Sequence, residues 1–468
     1  MVPSSFRIRR GAALAALAFL LTGAAARGAE EATPADHERR IQELEETIRR
    51  LNTDTRKLEA AEETRVAAKP IAGWSLKDGF FLQTQDGSYK LRVGGYTHFD
   101  GRFFIEEENR GNTTSFIFRR VRPDLQGTVA KYFNFRLLPD FAGGTLVLQD
   151  AYVEARYWRE IAVRAGKFKT PYGIERLQSA TAITFVERAI SDNLVPNRDL
   201  GVALFGELFL GTLTYEGGIF NGVVDGSSGD TNFGDDFDFA GRIFAYPFKN
   251  TTIEAARGLG IGIAGTYGRE NASTSSPTLP QYRPSGRGNP FFRYVNNAAT
   301  ATAPASIAVA DGIHYRYSPQ ANFYWGPFGL LTEYNVSGQN VENGTVEDLI
   351  INSAFQVATS FVLTGENASY KGVVPTNPFN PFARTWGAFE IGLRYAQLDV
   401  DDDAFDLGFA DPKRAAKKAQ EFTVGINWYL NPNIKLVLNY DRTWYEDGEG
   451  TGNLDTENLF LTRVQLVI

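Results

Sequence analysis

Arginine recurs at even positions through the first part of the chain: Arg92, Arg102, Arg120, Arg122, Arg136, Arg156 and Arg164. Each lies in a stretch where polar and apolar residues alternate. Alternate side chains of a strand point to opposite faces, so each stretch would present its arginines on one face. Guanidinium groups bind carboxylate and phosphate through paired hydrogen bonds. A ladder of them along a water-filled passage favours anions. The same alternation, taken strand by strand, adds Arg242, Arg316 and Arg394, with Lys90 and Lys435. It also adds acids: Asp100, Asp124, Asp140, Asp150, Glu154, Glu216, Asp238, Glu333, Glu390 and Asp441. The first five stretches hold eight basic and five acidic positions of this kind, the remainder four and five. The wall near the N-terminal half is therefore expected to be electropositive. The alternative is that each arginine pairs with a neighbouring acid and only keeps the wall in shape.

Other chemistry is poorly represented. The three histidines, His37, His98 and His314, are scattered, and the chain has no Cys. Disulfides, thiolate zinc sites and cysteine nucleophiles are excluded. No H-E-x-x-H, G-x-S-x-G or phosphate-loop motif occurs, so neither an enzyme nor a metal or organic cofactor is expected. A formal charge of −7 argues against nucleic acid, which needs a basic footprint.

The elements that must position the arginines are strands. From Tyr89 to Ile105 the odd positions are mostly apolar, and the even ones include Lys90, Arg92, His98, Asp100 and Arg102. Sixteen such stretches follow one another: 89–105, 116–130, 131–141, 146–158, 160–168, 199–211, 212–221, 237–248, 259–269, 312–325, 328–338, 349–364, 386–398, 420–430, 433–445 and 458–468. An even number, tight turns at one end (Ala130-Lys131, Asn431-Pro432-Asn433) and long loops at the other predict a closed, all-β, antiparallel transmembrane barrel over 89–468. Two connections break this pattern, 365–385 (long on the short side) and 142–145 (short on the long side). Trp158, Tyr246, Trp325, Trp386, Trp428, Tyr429 and Trp444 suit aromatic girdles at the membrane interfaces. The last strand runs to Ile468, flush with the end, and can close on the first.

The segment 169–198 joins the fifth and sixth strands and is long for a compact fold. It carries Lys169, Arg176, Arg188 and Arg198 beside Glu175, Glu187 and Asp192, with Lys167 just before it. Folded inward it would narrow the passage.

Upstream of the strands the character changes. Arg7, Arg9 and Arg10 precede an 11-residue apolar run and Ala24-Ala25-Ala26, the pattern of a secretory signal over 1–26. Residues 36–66 place Ile41, Leu44, Ile48, Leu51 and Leu58 at heptad positions a and d, predicting a helix that forms a coiled coil. Residues 67–88 are expected to be a linker.

Longer motifs resemble the phosphate-selective porin O and P family of bacterial outer-membrane channels. They are LRVGGYTHFDGRFF (91–104), FRRVRPDLQGTV (118–129), QDAYVEARYW (149–158) and, above all, GKFKTPYGIERLQS with LVPNRDLGV within 166–202. FVLTGENASY (361–370), GAFEIGLRYAQLD (387–399) and INWYLNPNIKLVLNYD (426–441) extend the resemblance through the C-terminal half. It implies a sixteen-stranded homotrimer in outer-membrane lipid, an inward-folded third loop, arginines at the constriction, and small anionic solutes such as phosphate. The expected pore-lining set is Arg92, Arg102, Arg120, Arg122, Arg136, Arg156, Arg164, Lys167, Lys169, Arg242, Arg316 and Arg394. A different role is structural: residues 36–66 would reach a cell-wall or periplasmic partner and tether the envelope.

Overall fold

The computed structural model describes residues 33–67, 69–75, 79–105, 111–232, 236–300, 305–449 and 452–468. The signal segment 1–26 lies outside the described residues. The chain divides into two units, Met1–Lys69 and Pro70–Ile468.

In the first unit a helix, α1, runs from Pro34 to Ala67. Its start is specified locally. Pro34 occupies the first helical position, where a missing N–H costs nothing. Asp36 accepts from the Thr33 backbone N–H at 3.2 Å and from its hydroxyl at 2.7 Å, a capping-box arrangement. The heptad residues Ile41, Leu44, Ile48, Leu51 and Leu58 are all more than half exposed.

The second unit is a closed barrel of sixteen antiparallel strands. They are β1 (Lys90–Phe104), β2 (Ser115–Val129), β3 (Phe133–Asp140), β4 (Val147–Ala155), β5 (Ala162–Lys169), β6 (Arg198–Leu208), β7 (Leu213–Phe220) and β8 (Asp238–Ala245), then β9 (Leu259–Asn271), β10 (Val309–Trp325), β11 (Phe328–Asn343), β12 (Val346–Val362), β13 (Ala388–Asp399), β14 (Lys418–Tyr429), β15 (Ile434–Glu446) and β16 (Glu457–Val467). All sixteen expected stretches are strands. β16 pairs with β1 from Leu459↔Phe104 to Val467↔Tyr96, and Ile468 exchanges both backbone hydrogen bonds with Gly95. The C-terminal residue therefore closes the seam and leaves no edge there. No helix among the described residues is long and apolar enough to cross a membrane; the strands cross it.

Alternation decides the two faces. Phe99, Phe118, Val153, Val202, Ile243 and Ile263 are exposed on the outside, where lipid lies, whereas His98 and Asp100 are fully buried inside. The turn between β2 and β3 has positive φ at both Ala130 and Lys131, 49° and 69°. Three residues, Ala130 to Tyr132, connect the paired Val129 and Phe133 there. Gly166 in β5 has φ +128°, and a Cβ there would collide with the Ala151 carbonyl of the neighbouring strand.

Three expectations need correction. The linker expected over 67–88 contains a hairpin, Ile71–Ser75 paired with Gly79–Gln83, which continues the sheet along the lower half of β1 (Phe80↔Val93 to Gln83↔Lys90). Five-residue strands are too short to show period 2 in sequence. Among the girdle aromatics, Trp158, Trp325 and Trp386 are exposed, but Tyr429 is buried with its hydroxyl on Glu390, and Tyr246 packs inward against Phe244. Thirdly, the register of β1 against β2 slips by one residue between His98↔Arg120 and Phe99↔Phe118. This bulge turns both Arg119 and Arg120 inward; strict parity assigns Arg119 to lipid.

Candidate functional site

The loop after β5, residues 170–197, folds into the barrel and is buried along most of its length. Strands on the far wall hold its backbone in order. Gln320 of β10 donates to the Tyr172 carbonyl at 2.8 Å, and Glu333 of β11 accepts from the Ile174 N–H at 2.9 Å. Asn427 of β14 donates to the Thr184 carbonyl, Lys435 of β15 to Ile183 and Gln465 of β16 to Thr181, at 2.9, 2.9 and 3.1 Å. Inward polar residues of β10–β16 thus satisfy a loop that would otherwise bury unpaired peptide groups. Within the loop, Lys169 donates to the carbonyls of Arg176, Leu177 and Gln178, where the short helix Ile174–Leu177 ends. A cation at exposed C-terminal carbonyls is the favourable sign.

The long connection 365–385, anomalous in sequence, supports this loop from the short-turn end of the barrel. The Tyr370 hydroxyl donates to the Ile174 carbonyl at 2.5 Å, and Gln178 donates to the Tyr370 carbonyl at 2.8 Å. On the outer side, Asp225 of the loop after β7 meets Arg316 at 2.6 Å. Residues Tyr282, Phe291 and Phe292, between β9 and β10, form a buried apolar cluster with Ile190 and Leu194 of the third loop. The third loop is therefore one of several inward segments, not the sole constriction element.

What remains open lies between the third loop and the wall of β1–β5. A cavity of about 420 Å³ there is lined by ten basic side chains, among them Arg119, Arg120, Arg122, Arg136, Arg198 and Arg287, and by two acidic ones, Asp150 and Glu216. It shares Arg188, Gly226 and Arg287 with an outer cavity of about 180 Å³, and Tyr96, Arg136 and Ser179 with a cavity of about 310 Å³ at the periplasmic mouth. The three adjoin one another and make up the candidate route through the barrel.

The expected residues distribute unequally along it. Arg120, Arg122, Arg136, Arg164 and Lys169 line the central cavity. Arg122 pairs with Asp140 at 2.7 Å, Arg136 with Asp124 and Asp150 at 2.7 and 2.9 Å, and Arg164 with Glu154 and Glu216 at 3.1 and 3.0 Å. Arg92 donates to Gln126 at the periplasmic mouth. Arg156 pairs with Glu207, and together with Arg242 lines a side cavity away from the axis. Arg242 itself donates to Gln320. Lys167 is buried against Asp230, Arg316 is buried against Asp225, and Arg394 is buried between Glu421 and the Glu187 carbonyl. These last three secure loops rather than line the central cavity. Arg102 approaches Glu187 at 3.8 Å.

The expected set left out Arg119, Arg463 and Arg287, which converge on Glu187 with Arg102 and Arg120. One signal was present for the first: three arginines within FRRVR of a spanning strand cannot include one on the lipid face without a large cost. Burial alone would raise the Glu187 carboxyl, but Arg119, Arg120, Arg287 and Arg463 outweigh it and hold it well below 4.5. A depressed value keeps the pairing intact as pH falls through the ordinary carboxylate range, and loses it only below that. Among the described residues no group of three or more His, Asp or Glu side chains converges as a metal site.

A closed sixteen-stranded barrel with an apolar belt, inward loops and a polar axial route is a porin, an outer-membrane channel of bacteria. Residues 91–468 match the model of the family described as phosphate-selective porin O and P, and the chain belongs to that family. It is 24% identical over 415 residues to Porin O of Pseudomonas aeruginosa, covering 84% of this chain and 91% of that one. Among solved structures it resembles the outer-membrane channel DcaP of Acinetobacter baumannii (TM-score 0.54, 11% identity, 82% of this chain and 99% of that one). It also resembles Salmonella typhi OmpF (TM-score 0.50, 10% identity, 81% and 98%). At these identities the structural likenesses establish the fold.

Proposed function

We propose that this porin passes small anions, oxyanions including phosphate among them, by passive diffusion through each barrel of a homotrimer, the assembly that the family resemblance implies. The observation that carries the reading is the central cavity with ten basic and two acidic side chains on the axial route. Many of these arginines do pair with acids, as the alternative foresaw, yet the balance along the route stays positive. Arg119, Arg120, Arg122, Arg136 and Arg198 supply the potential in the central cavity. Membership of a family described as phosphate-selective supports phosphate as one solute.

Single-channel recording in a planar bilayer under a KCl gradient tests this. Chloride-selective steps that inorganic phosphate blocks are the expected result. Chloride selectivity without block would restrict the reading to a general anion channel. Cation-selective steps would overturn it.

A second role belongs to α1, whose exposed apolar stripe favours a helical partner. We infer that residues 36–66 pair as a coiled coil, with copies of themselves or with a periplasmic partner. Deleting residues 30–68 is expected to leave conductance unchanged while lowering the yield of trimer or weakening attachment of the envelope. A deletion variant normal in both respects would remove this role.

A further inference from the structure

Five guanidinium groups surround the single carboxylate of Glu187. Arg119 lies at 2.5 Å, Arg120 and Arg463 at 3.7 Å, Arg102 at 3.8 Å and Arg287 at 3.9 Å. The carboxylate lines the outer cavity, whereas Arg119, Arg120 and Arg287 line the central one. Glu187, 3% exposed, therefore stands where the two cavities adjoin.

Backbone contacts anchor this stretch of the loop beside the side chain. The Glu187 carbonyl already accepts from Arg394 at 2.9 Å, and the adjacent Val186 N–H donates to Asn439 at 3.3 Å. Neighbouring loop positions are likewise held through their carbonyls, at Thr181, Ile183 and Thr184. A carboxylate among arginines is chemically what an incoming oxyanion offers: two oxygens and one negative charge, taken up by guanidinium forks. Conduction requires a site that attracts an ion yet releases it. Asp100 already neutralises Arg463; the other four cations without a counter-charge would attract anions strongly and release them slowly.

We propose that Glu187 is a built-in competitor for the anion site, a specificity-determining residue whose carboxylate sets how long a passing oxyanion is held. The proposal rests on the anion-channel reading. It adds that the third loop carries its own surrogate anion, and that transit exchanges arginine contacts between this carboxylate and the solute.

The test is single-channel conductance of the full-length protein as a function of KCl concentration, with inorganic phosphate as the blocking probe. Wild type, Glu187→Gln and Arg119→Gln are compared. Glu187→Gln should saturate at an about tenfold lower KCl concentration and be blocked by about tenfold less phosphate, because one negative charge is lost from a site of low effective dielectric. Arg119→Gln should shift both values the opposite way. If the pair merely held the loop, both substitutions would loosen it and move saturation in the same direction; that result, or no shift in either, overturns the proposal. Should Glu187→Gln fail to fold, Arg119→Gln decides alone, and an unchanged or lowered half-saturating concentration counts against it. A cation-selective wild type would remove the anion-channel reading itself, and is seen before any variant is recorded.

Discussion

Replacing Arg119 and Arg120 together with alanine is expected to lower anion over cation permeability by about tenfold or more, because two unit charges some 5 Å from a permeating ion each contribute about 3 kcal/mol at an effective dielectric near 20. Salt screens part of this, so the loss should be largest at low ionic strength. Both residues line the central cavity, and the β-bulge places them side by side on the route. Neither removal strands a wall acid, since both face Glu187 of the loop. Arg122 makes a poorer choice, because its loss would free Asp140, its partner at 2.7 Å, and confound charge with structure. The reversal potential under a KCl gradient reads the effect. An unchanged reversal potential would mean that these arginines do not face the permeating ion.

The second large effect concerns the seam. Asp100 of β1 and Arg463 of β16 form two hydrogen bonds of 2.7 Å, and each side chain is 1% exposed. This pair joins the first strand to the last, where the barrel closes. Removing Asp100 takes both hydrogen bonds from a buried guanidinium and leaves it only the Glu187 carboxylate at 3.7 Å, a loss of up to about 3–5 kcal/mol. Asp100→Ala should therefore lower the midpoint of denaturant unfolding from micelles and shift the heat-modifiable band on gels towards lower temperature. Replacing both residues with apolar ones of similar size, Asp100→Leu with Arg463→Met, should recover most of the loss, since a buried pair contributes little beyond its own desolvation. A single variant as stable as wild type would show that lipid and backbone pairing alone hold the seam.

The contrast between these two sites shows what kind of information each needed. Arg120 was visible as an inward arginine because parity within one strand exposes it. Its neighbour Arg119 was not, because a bulge shifts parity by one and strand sequence carries no separate mark for it. Arg463 sat on the inward parity of the last strand, yet its partner Asp100 is 363 residues away. Arg316 and Arg394 were also on the inward face, but loop segments from elsewhere cover them, so they hold structure and do not meet solute.

The connection 365–385 teaches the same point. Its length was plain in the sequence, as was its conflict with the pattern of short turns. That Tyr370 reaches the Ile174 carbonyl, across 196 residues, was not. Nor was the role of Gln320, Asn427 and Gln465, ordinary polar residues that become anchors only because loop carbonyls arrive opposite them.

By itself, then, the sequence determined the strands, their number, the apolar and polar faces and the closure at Ile468. Period-2 alternation is a local property, and a chain with one face in lipid must obey it at nearly every position. It also determined that arginine would be plentiful inside. Only the tertiary structure decided which arginines meet the route, because that depends on where inward loops come to rest. Their resting place follows from hydrogen bonds and ion pairs between residues far apart in the chain, whose energies no local pattern encodes. Glu187 is the clearest case: in sequence it is one acid among several in a polar loop, and in the folded barrel it faces five arginines drawn from β1, β2, β16 and the segment between β9 and β10.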